Sequence, residues 1–425
     1  MIEEAIVHVG MHKTGSSSIQ DTLSQLPMEG VEYLALTSPN HSGFLATLLP
    51  EKPEKHHSHV RNGRSVAQVK ALKESYVKLL HDALKSVKKP RVLISAEYLS
   101  QPDESISELV HLREILLSYC KRIRVIGYVR GPIGFMQSAF QQTLKGGSNL
   151  SFNLLSVYPN YQQRFGKMDK VFGKENVDLV PFVKNSLHNG DVVQDFARRI
   201  GFVLSAEQIV RTNESLSLEA TALLYAFRRF GGNSPGYEGF NRDNNTFVAA
   251  FTELGQKKLA FSESAVMPLL EANQHDIEWI SERLGVSILD EPSSSTEAIG
   301  SEQDLLEVAH ANRMAIWELM KQVSPLTPNM QGLAQLVDQL RTMHAKSISP
   351  LQTPSYTLFS PSQLEIIATK KDPIAILATL ADALNKKGRH HAAQQVRNAS
   401  NRASRLVKKS QGDDKILKQL APGDD

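Results

Sequence analysis

The sequence predicts an α/β fold: a three-layer parallel sheet that starts with a P-loop-like strand, loop and helix, followed by a C-terminal helical region. Apolar runs predict strands at residues 5–9 and 123–129, residues 91–100 predict a strand that ends in a polar turn, and stretches of helical periodicity separate the three. Such alternation of strand and helix favours a parallel sheet with helices on both faces. After about residue 205 no further strand is indicated, so the rest of the chain is expected to be helical.

The chain begins with the first of these apolar runs, a predicted buried strand that ends at Gly10. The loop that follows contains Lys13 and Gly15 and leads into three consecutive serines, Ser16–Ser18, where a helix is expected to begin. Backbone N–H groups in such a loop, the positive end of the helix dipole and a lysine together favour a bound anion. The segment therefore predicts an anion cradle.

The loop differs from the nucleotide-binding P-loop, whose lysine directly follows its second glycine. Gly10 and Gly15 have the P-loop spacing, but Ser16 and Ser17 stand where that motif has lysine and then serine or threonine. The lysine of this chain, Lys13, lies inside the loop instead. A P-loop kinase or NTPase is therefore disfavoured and stays an alternative.

A second apolar run, residues 123–129, predicts a central parallel strand that ends at Arg130. Gly131 and Pro132 follow, and a helical stretch comes next, in which Ser138 lies eight positions after the arginine. Open parallel sheets bind ligands at the carboxyl ends of their strands. Arg130 therefore stands where a ligand-binding residue is expected, although a surface ion pair would also explain it.

These two motifs resemble those of sulfotransferases that use 3′-phosphoadenosine 5′-phosphosulfate (PAPS). The stretch M-H-K-T-G-S-S-S-I-Q, residues 11–20, is similar to the loop that holds the 5′-phosphosulfate in that family. Arg130 and Ser138 resemble the family's 3′-phosphate site, where the arginine makes two parallel hydrogen bonds and the serine adds a third. The resemblance covers about residues 1–230 and is close only at these motifs. It is greatest to bacterial, carbohydrate-sulfotransferase-like proteins.

The resemblance implies PAPS as the donor and a set of residues that hold it. No metal is expected to be required, because a sulfuryl group carries less charge than a phosphoryl group. The implied donor-binding residues are Lys13, Thr14, Gly15, Ser16, Ser17, Ser18, Arg130 and Ser138.

Sulfuryl transfer is an in-line displacement at sulfur, in which positioning and charge stabilisation supply most of the catalysis. Lys13 is expected to stabilise the charge that develops on the bridging oxygen as its bond to sulfur breaks. For the base that removes the acceptor's proton, the resemblance favours Glu97, which follows a predicted strand, and His12 is the rival base. The alternative for Glu97 is a solvated glutamate at a strand end.

The acceptor is expected to be a hydroxyl, or an amine, of a saccharide or glycolipid, by family analogy alone. A predicted loop at residues 231–246 has side chains that are able to stack on and hydrogen-bond a sugar. The alternative is that this loop has a purely structural role. These side chains are Tyr237, Phe240, Asn241, Arg242 and Asn244. A non-catalytic, sulfotransferase-like binding protein is the other function left open.

The composition is that of an ordinary soluble globular chain, 41% hydrophobic with a net charge of +3, which does not argue for a nucleic-acid partner. The single cysteine, Cys120, excludes an intrachain disulfide and is expected in a buried helix. No signal peptide and no apolar run of membrane-spanning length is present. We therefore expect a cytoplasmic protein, for which peripheral contact with a membrane and the oligomeric state are open.

The chain is expected to divide into a sulfotransferase-like domain, a linker and a C-terminal helical region. The linker is indicated by a run of proline, serine and glycine. The predicted parts are residues 1–290 (core 1–205, helical extension 206–290), linker 291–303, and helical region 304–425 with a tetratricopeptide-like hairpin near 373–400. The polar segment 40–65, with His56, His57 and His59, is interpreted as an exposed variable loop rather than a metal site.

Overall fold

The protein is described by a computed structural model of residues 1–11, 13–102, 105–148, 151–211, 215–231, 237–295 and 297–320, with single helical positions between 333 and 400. The chain forms two compact units, residues 1–345 and 346–425. The first unit contains the sheet and every strand given below. The predicted hairpin near 373–400 falls mostly outside the described residues.

One sheet of five parallel strands forms the centre of the first unit. The strands are β1 (Ile2–Gly10), β2 (Val31–Tyr33), β3 (Arg91–Ser95), β4 (Cys120–Val129) and β5 (Val177–Pro181). Their order is β2-β3-β1-β4-β5, and all pairs are parallel. Because β1 lies between β3 and β4, the residues that follow these three strands emerge side by side at one edge. The predicted α/β class is confirmed.

Helices cover the sheet and continue beyond it. The described α-helices are α1 (Ser16–Leu23), α2 (Ser42–Leu48), α3 (His57–Arg61), α4 (Val66–Ser86), α5 (Ile106–Leu117), α6 (Pro132–Lys145), α7 (Tyr161–Phe172), α8 (Val192–Arg199), α9 (Leu218–Phe230), α10 (Phe240–Ala249), α11 (Glu263–Ala272), α12 (Gln274–Leu284), α13 (Glu302–Ala311) and α14 (Arg313–Met320).

The three layers follow from the alternation of side chains along the strands. On one face of β1, Ile6 packs in a small core with Ile19 of α1 and Phe196 of α8. On the other face, Val7 belongs to the larger core, which includes Leu112 of α5 and residues of α6, α7 and α9. Helices therefore cover both faces of the sheet.

The helices begin where the sequence supplies a start signal. Ser65 and Gln68 form a reciprocal capping box at the start of α4, and the side chain of Asp191 caps α8. Helix α6 begins with Pro132 at its first position, after Gly131, which has no side chain to cap it. The first N–H groups of α6 therefore need an acceptor from elsewhere in the protein.

Three predictions about local structure are wrong, each because tertiary packing decides the outcome. Cys120 is buried as predicted but begins β4, since α5 ends at Leu117. The segment at 40–65 contains α2 and α3, and Phe44 of α2 stacks on Tyr76 at 4.4 Å between ring centroids. His59 in that segment is buried. Helix α10 starts at residue 240, inside the predicted loop.

The segment at 291–303 touches the helical extension at two points. Ser293 forms an isolated bridge with Ser262, and Ile299, which is buried, forms one with Phe261. The proposed division of the chain at this segment stays a prediction.

Candidate functional site

The loop between β1 and α1, residues 11–15, turns sharply because two of its residues have left-handed backbone conformations. Lys13 has a φ of 60° and Gly15 a φ of 82°. Non-glycine residues seldom adopt such angles, and the ones that do cluster at functional sites. The N–H and the hydroxyl of Thr14 both donate to the carbonyl oxygen of Met11, at 3.3 and 2.9 Å. The buried Thr14 side chain thus closes the loop on itself.

Both glycines of the loop are required by close packing. A Cβ atom on Gly10 would lie 2.2 Å from the hydroxyl oxygen of Ser16. A Cβ atom on Gly15 would lie 2.4 Å from Cγ1 of Val192, at the start of α8. Any larger residue at either position would displace the loop or the first turn of α1.

Helix α1 begins directly after this loop, at the end of the central strand. The helix begins at Ser16, and the first N–H groups of an α-helix have no acceptor within the helix itself. The hydroxyl oxygen of Ser16 is buried and has no hydrogen-bond partner among the described residues. An unpaired buried hydroxyl beside the positive end of a helix suits an anionic ligand. Ser17 and Ser18 are half-buried on the same turn.

Arg130 follows β4, next to the loop. Its Nη1 atom donates to the carbonyl oxygen of Lys13 at 3.1 Å and to the hydroxyl of Ser138 at 2.7 Å. The hydroxyl of Tyr161 donates to the carbonyl oxygen of Arg130 at 2.6 Å. Burial lowers the pKa of the Arg130 guanidinium, and the carboxylate of Asp290 partly offsets this. Three of the predicted site residues therefore meet at one point, although they come from two separate motifs.

Two aspartates from the helical extension cap the helices on either side of this point. The carboxylate of Asp290 accepts from the N–H groups of Ile133 and Gly134 in α6, at 3.0 and 2.6 Å. The carboxylate of Asp276 accepts from those of Tyr161 and Gln162 in α7, both at 2.8 Å. The sequence analysis missed both aspartates. The only available signal was indirect: neither helix starts with a side-chain cap of its own.

Glu97 follows β3, on the other side of β1 from Arg130. It opens a short 3₁₀ turn, residues 97–100, and is half-buried. The hydroxyl of Ser100 donates to the carbonyl oxygen of Gly10 at 2.7 Å, which holds this turn against the end of β1. Glu97 and Arg130 therefore flank the loop from opposite sides. His12, the rival base, lies outside the described residues.

A buried polar network lies beneath the loop. The hydroxyl oxygen of Ser95, on β3, is 2.7 Å from Nδ1 of His8 on β1, and it accepts from Nε2 of Gln20 on α1 at 3.0 Å. Burial lowers the pKa of His8 to about 3, so the ring is neutral at ordinary pH. The network ties the strand before Glu97 to the helix that begins the candidate anion site.

Among the residues predicted to hold an acceptor, one is buried in the protein and the others are half-buried or exposed. Asn244 is buried: it accepts from Arg228 at 2.5 Å and donates to the carbonyl oxygen of Lys145 at 2.7 Å. Its side chain therefore serves the packing of α10 on α6 and α9. Tyr237 and Phe240 are half-buried, with ring centroids 5.6 Å apart. Asn241 and Arg242 follow on the first turn of α10. Asn241 is half-buried and Arg242 is exposed.

Within the described ranges, no group of three or more His, Cys, Asp or Glu side chains is arranged to hold a metal ion. In the same ranges, none of the helices has both the length and the apolar content that a bilayer crossing demands.

The fold and site define a parallel α/β protein whose central strand leads through a glycine- and serine-rich loop into a helix, with an arginine after the adjacent strand. No protein-family profile and no curated protein sequence matches the chain. The crystal structure of a sulfotransferase from Alicyclobacillus acidocaldarius aligns with 54% of this chain and 93% of its own, at 17% identity and a TM-score of 0.32. A likeness that distant carries no argument about function.

Proposed function

We propose that the protein is a sulfotransferase that transfers the sulfuryl group of PAPS to a hydroxyl of a saccharide or glycolipid. The observation that carries the proposal is the position of Arg130. Its Nη1 atom contacts both the loop, at Lys13, and the serine of the second motif, Ser138. Two short motifs that are 117 residues apart at these contacts are thus joined by hydrogen bonds to one side chain.

The donor's two acidic ends would take different parts of this surface. The 5′-phosphosulfate would lie against the first turn of α1, beside the buried Ser16 hydroxyl and the positive end of the helix. The 3′-phosphate would lie at Arg130 and Ser138, which already hydrogen-bond to one another. Gly15 allows the close approach of the backbone that the first of these contacts needs.

In the transfer step, the acceptor oxygen forms a bond to sulfur while the bond between sulfur and the bridging oxygen breaks. The electron pair of that bond stays on the bridging oxygen, which becomes part of the departing phosphate. Lys13 would stabilise this charge, and Glu97 or His12 would take the proton of the acceptor hydroxyl. Glu97 opens the turn after the neighbouring strand, and a hydrogen bond from Ser100 holds this turn against the end of β1. A base must lie close to the donor loop in this way.

The test is calorimetric titration of the full chain with 3′-phosphoadenosine 5′-phosphate, the desulfated product. We expect sub-millimolar binding that weakens at least about tenfold in Arg130→Ala, the usual effect of losing a charged hydrogen bond. The matched control is Arg122→Ala, at the opposite end of the same strand, where the arginine pairs with Glu4 at 3.0 Å.

Each outcome separates this proposal from its alternatives. Absence of nucleotide binding by the parent would contradict the donor site and favour a non-catalytic binding protein. Equal binding by Arg130→Ala and the parent would contradict the role of the arginine. Hydrolysis of ATP that a chelator abolishes, without sulfuryl transfer, would favour the P-loop kinase or NTPase, whereas sulfuryl transfer is expected to survive the chelator.

A further inference from the structure

Arg61, the last residue of α3, extends its side chain to the far end of α6. Its Nη2 atom donates to the hydroxyl of Ser148 at 2.5 Å. Its Nη1 atom lies against Gly146, where a Cβ atom would be 3.1 Å away. The side chain is half-buried, and burial lowers the pKa of its guanidinium. Arg61 is therefore a partly desolvated cation held in a defined position.

Within the part of the chain that the structure describes, no carboxylate forms an ion pair with Arg61 or with its neighbour Arg64. Nη1 of Arg64 instead pairs with Nδ1 of His59 at 3.0 Å. The carbonyl end of α6 supplies partial negative charge near Arg61, which is less than that of a carboxylate. Partly buried cations are normally paired, so an anion is the missing partner.

The ring of His56, which is close enough to Arg61 for the charge of the arginine to affect its pKa, adds a hydrogen-bond donor. Nδ1 of His56 accepts from the N–H of Ser58 at 3.4 Å, so the proton of the neutral ring belongs to Nε2. Burial, followed by the charges of His57, His59 and Arg61, lowers the pKa of His56 to about 4. At neutral pH the ring thus presents an N–H donor without a charge. One carboxylate, that of Asp243, lies near this segment and accepts from the hydroxyl of Tyr237 at 3.1 Å. Donors and cations outnumber it, which suits an anion rather than a metal ion.

Aromatic rings border the same place. The backbone N–H of Tyr237 donates to the carbonyl oxygen of Arg61 at 3.0 Å. Phe240, whose ring centroid is 5.6 Å from that of Tyr237, lies against Gly147. A half-buried aromatic wall beside an anion-binding group matches a sugar ring that carries an acidic substituent.

The position relative to the candidate donor site bears on the size of the ligand. Helix α6 begins beside Arg130 and ends beside Ser148, and its 14 residues correspond to about 20 Å at 1.5 Å per residue. The ring of His56 lies 5.9 Å from that of Tyr98, which directly follows Glu97. The Arg61 surface therefore lies well beyond the candidate donor site. A ligand that reaches both must be longer than one sugar.

We infer that Arg61, together with His56, binds an acidic group, carboxylate or sulfate, of an oligosaccharide acceptor. That this oligosaccharide is the acceptor rests on the proposed sulfotransferase function, whereas the anion site itself does not. The acidic group would bind the Arg61 guanidinium while a hydroxyl elsewhere on the same oligosaccharide reaches Glu97.

The test is calorimetric titration of the full chain, at low ionic strength, with three probes of equal length. These are an oligogalacturonate, which carries carboxylates, a chondroitin sulfate oligosaccharide, which also carries sulfates, and a neutral malto-oligosaccharide. We expect at least one acidic probe to bind about tenfold or more tightly than the neutral one. Comparison of the two acidic probes distinguishes carboxylate from sulfate recognition.

The variants are Arg61→Gln and Ser148→Ala, which remove the same hydrogen bond from opposite sides. Arg61→Gln also removes the charge, so we expect it to lose about tenfold in affinity for the acidic probe. Ser148→Ala keeps the charge and should stay within about twofold of the parent. Thermal unfolding of both variants checks that each is folded.

Three results would overturn the inference: equal affinity of the parent for acidic and neutral probes, parental affinity in folded Arg61→Gln, or an equal loss in Ser148→Ala. Binding of 3′-phosphoadenosine 5′-phosphate is measured in parallel and should be unchanged in both variants. If the parent bound acidic probes through Arg61 but did not bind the nucleotide, the anion site would stand and the proposed donor would be wrong.

Discussion

The Nη1 atom of Arg130 donates a hydrogen bond to the hydroxyl of Ser138 at a distance of 2.7 Å. Arg130 ends β4 and Ser138 lies in the second turn of α6, so the arginine side chain folds back along the helix that follows its own strand. The same Nη1 atom also contacts the carbonyl oxygen of Lys13. Because these contacts already hold the arginine side chain in place, less side-chain ordering remains for a phosphate to impose.

Ser138→Ala tests whether this serine contributes to phosphate binding. We expect the affinity for 3′-phosphoadenosine 5′-phosphate to fall at least about tenfold, the effect of one lost hydrogen bond to a charged group. Thr143→Ala is the control, because the Thr143 hydroxyl, on the same helix, donates to the carbonyl oxygen of Ala139 at 2.9 Å. Titration calorimetry makes the comparison, and equal affinities for the two variants would contradict the role of Ser138.

Lys13→Ala tests charge stabilisation in the transfer step. We expect turnover to fall at least about a hundredfold, as when a transition-state donor is removed. Lys121→Ala, an exposed lysine that pairs with Glu3 at 2.7 Å, should keep parental turnover. Single-turnover rates of Glu97→Gln and His12→Asn then identify the base, since only the true base should show a comparable loss. Parental turnover in folded Lys13→Ala would remove this lysine from the mechanism.

Asp290→Ala and Asp276→Ala test the two caps that the helical extension provides. Each removes a carboxylate that accepts from two N–H groups at the start of a helix, α6 or α7. We expect each to lower the free energy of unfolding by about 1–2 kcal/mol in urea denaturation. Glu278→Ala, at an exposed position of α12, should change it by less than about 0.5 kcal/mol. A loss no larger than that of the control would mean that the caps add no net stability.

Gly15→Ala tests the packing of the loop against α8. Gly15 and Gly30 both have left-handed φ angles, 82° and 69°, so alanine at either should cost about 1–2 kcal/mol in backbone strain. Only at Gly15 would the new Cβ meet a side-chain atom at 2.4 Å, on Val192. We expect a further loss of about 1–3 kcal/mol there, part of which Val192→Ala should restore in the double variant. Equal losses at Gly15 and Gly30 would contradict the clash.

His8 should make the protein less stable in acid. Burial keeps its pKa near 3 in the folded state, whereas an unfolded histidine titrates near 6.5. Because the folded pKa is the lower one, the contribution of His8 to the free energy of unfolding is fully present above about pH 6.5 and is lost as the pH falls towards 3. Between pH 7 and pH 5 this loss is about 2 kcal/mol. Urea unfolding of His8→Asn should show a pH dependence smaller by that amount. A pH dependence of stability equal to that of the parent would mean that His8 has the same pKa in the folded and the unfolded protein.

The local features near the site were predictable because short-range physics decides them. The apolar run of β1, the break at Gly10 and the serine-rich start of α1 depend on residues adjacent in sequence. Arg130 was expected at the end of a strand, and it follows β4 directly. The contact from Arg130 to Lys13 was not predictable from short stretches of sequence, because it depends on β1 and β4 lying side by side.

The features that were mispredicted depend on partners far away in sequence. The histidine-rich segment at 40–65 forms α2 and α3, since Phe44 stacks on Tyr76 of α4 and His59 is buried 3.0 Å from the hydroxyl of Thr47 in α2. Residues 240–246 form the start of α10, where Asn244 bonds to Arg228 and to the carbonyl of Lys145. Polar composition indicated loops in both places, and long-range burial outweighed it.

The sequence by itself determined the α/β class, the alternation of the main strands with helices and the chemical character of the loop, since hydrophobic periodicity, glycine and the N-terminus of a helix act over a few residues. Only the tertiary structure decided which residues meet: Arg130 with Lys13 and Ser138, Asp290 with the start of α6, and Arg61 with Ser148. The physical reason is that a buried N–H group or charge takes whichever acceptor the packed chain brings within about 3 Å, whatever its distance along the sequence.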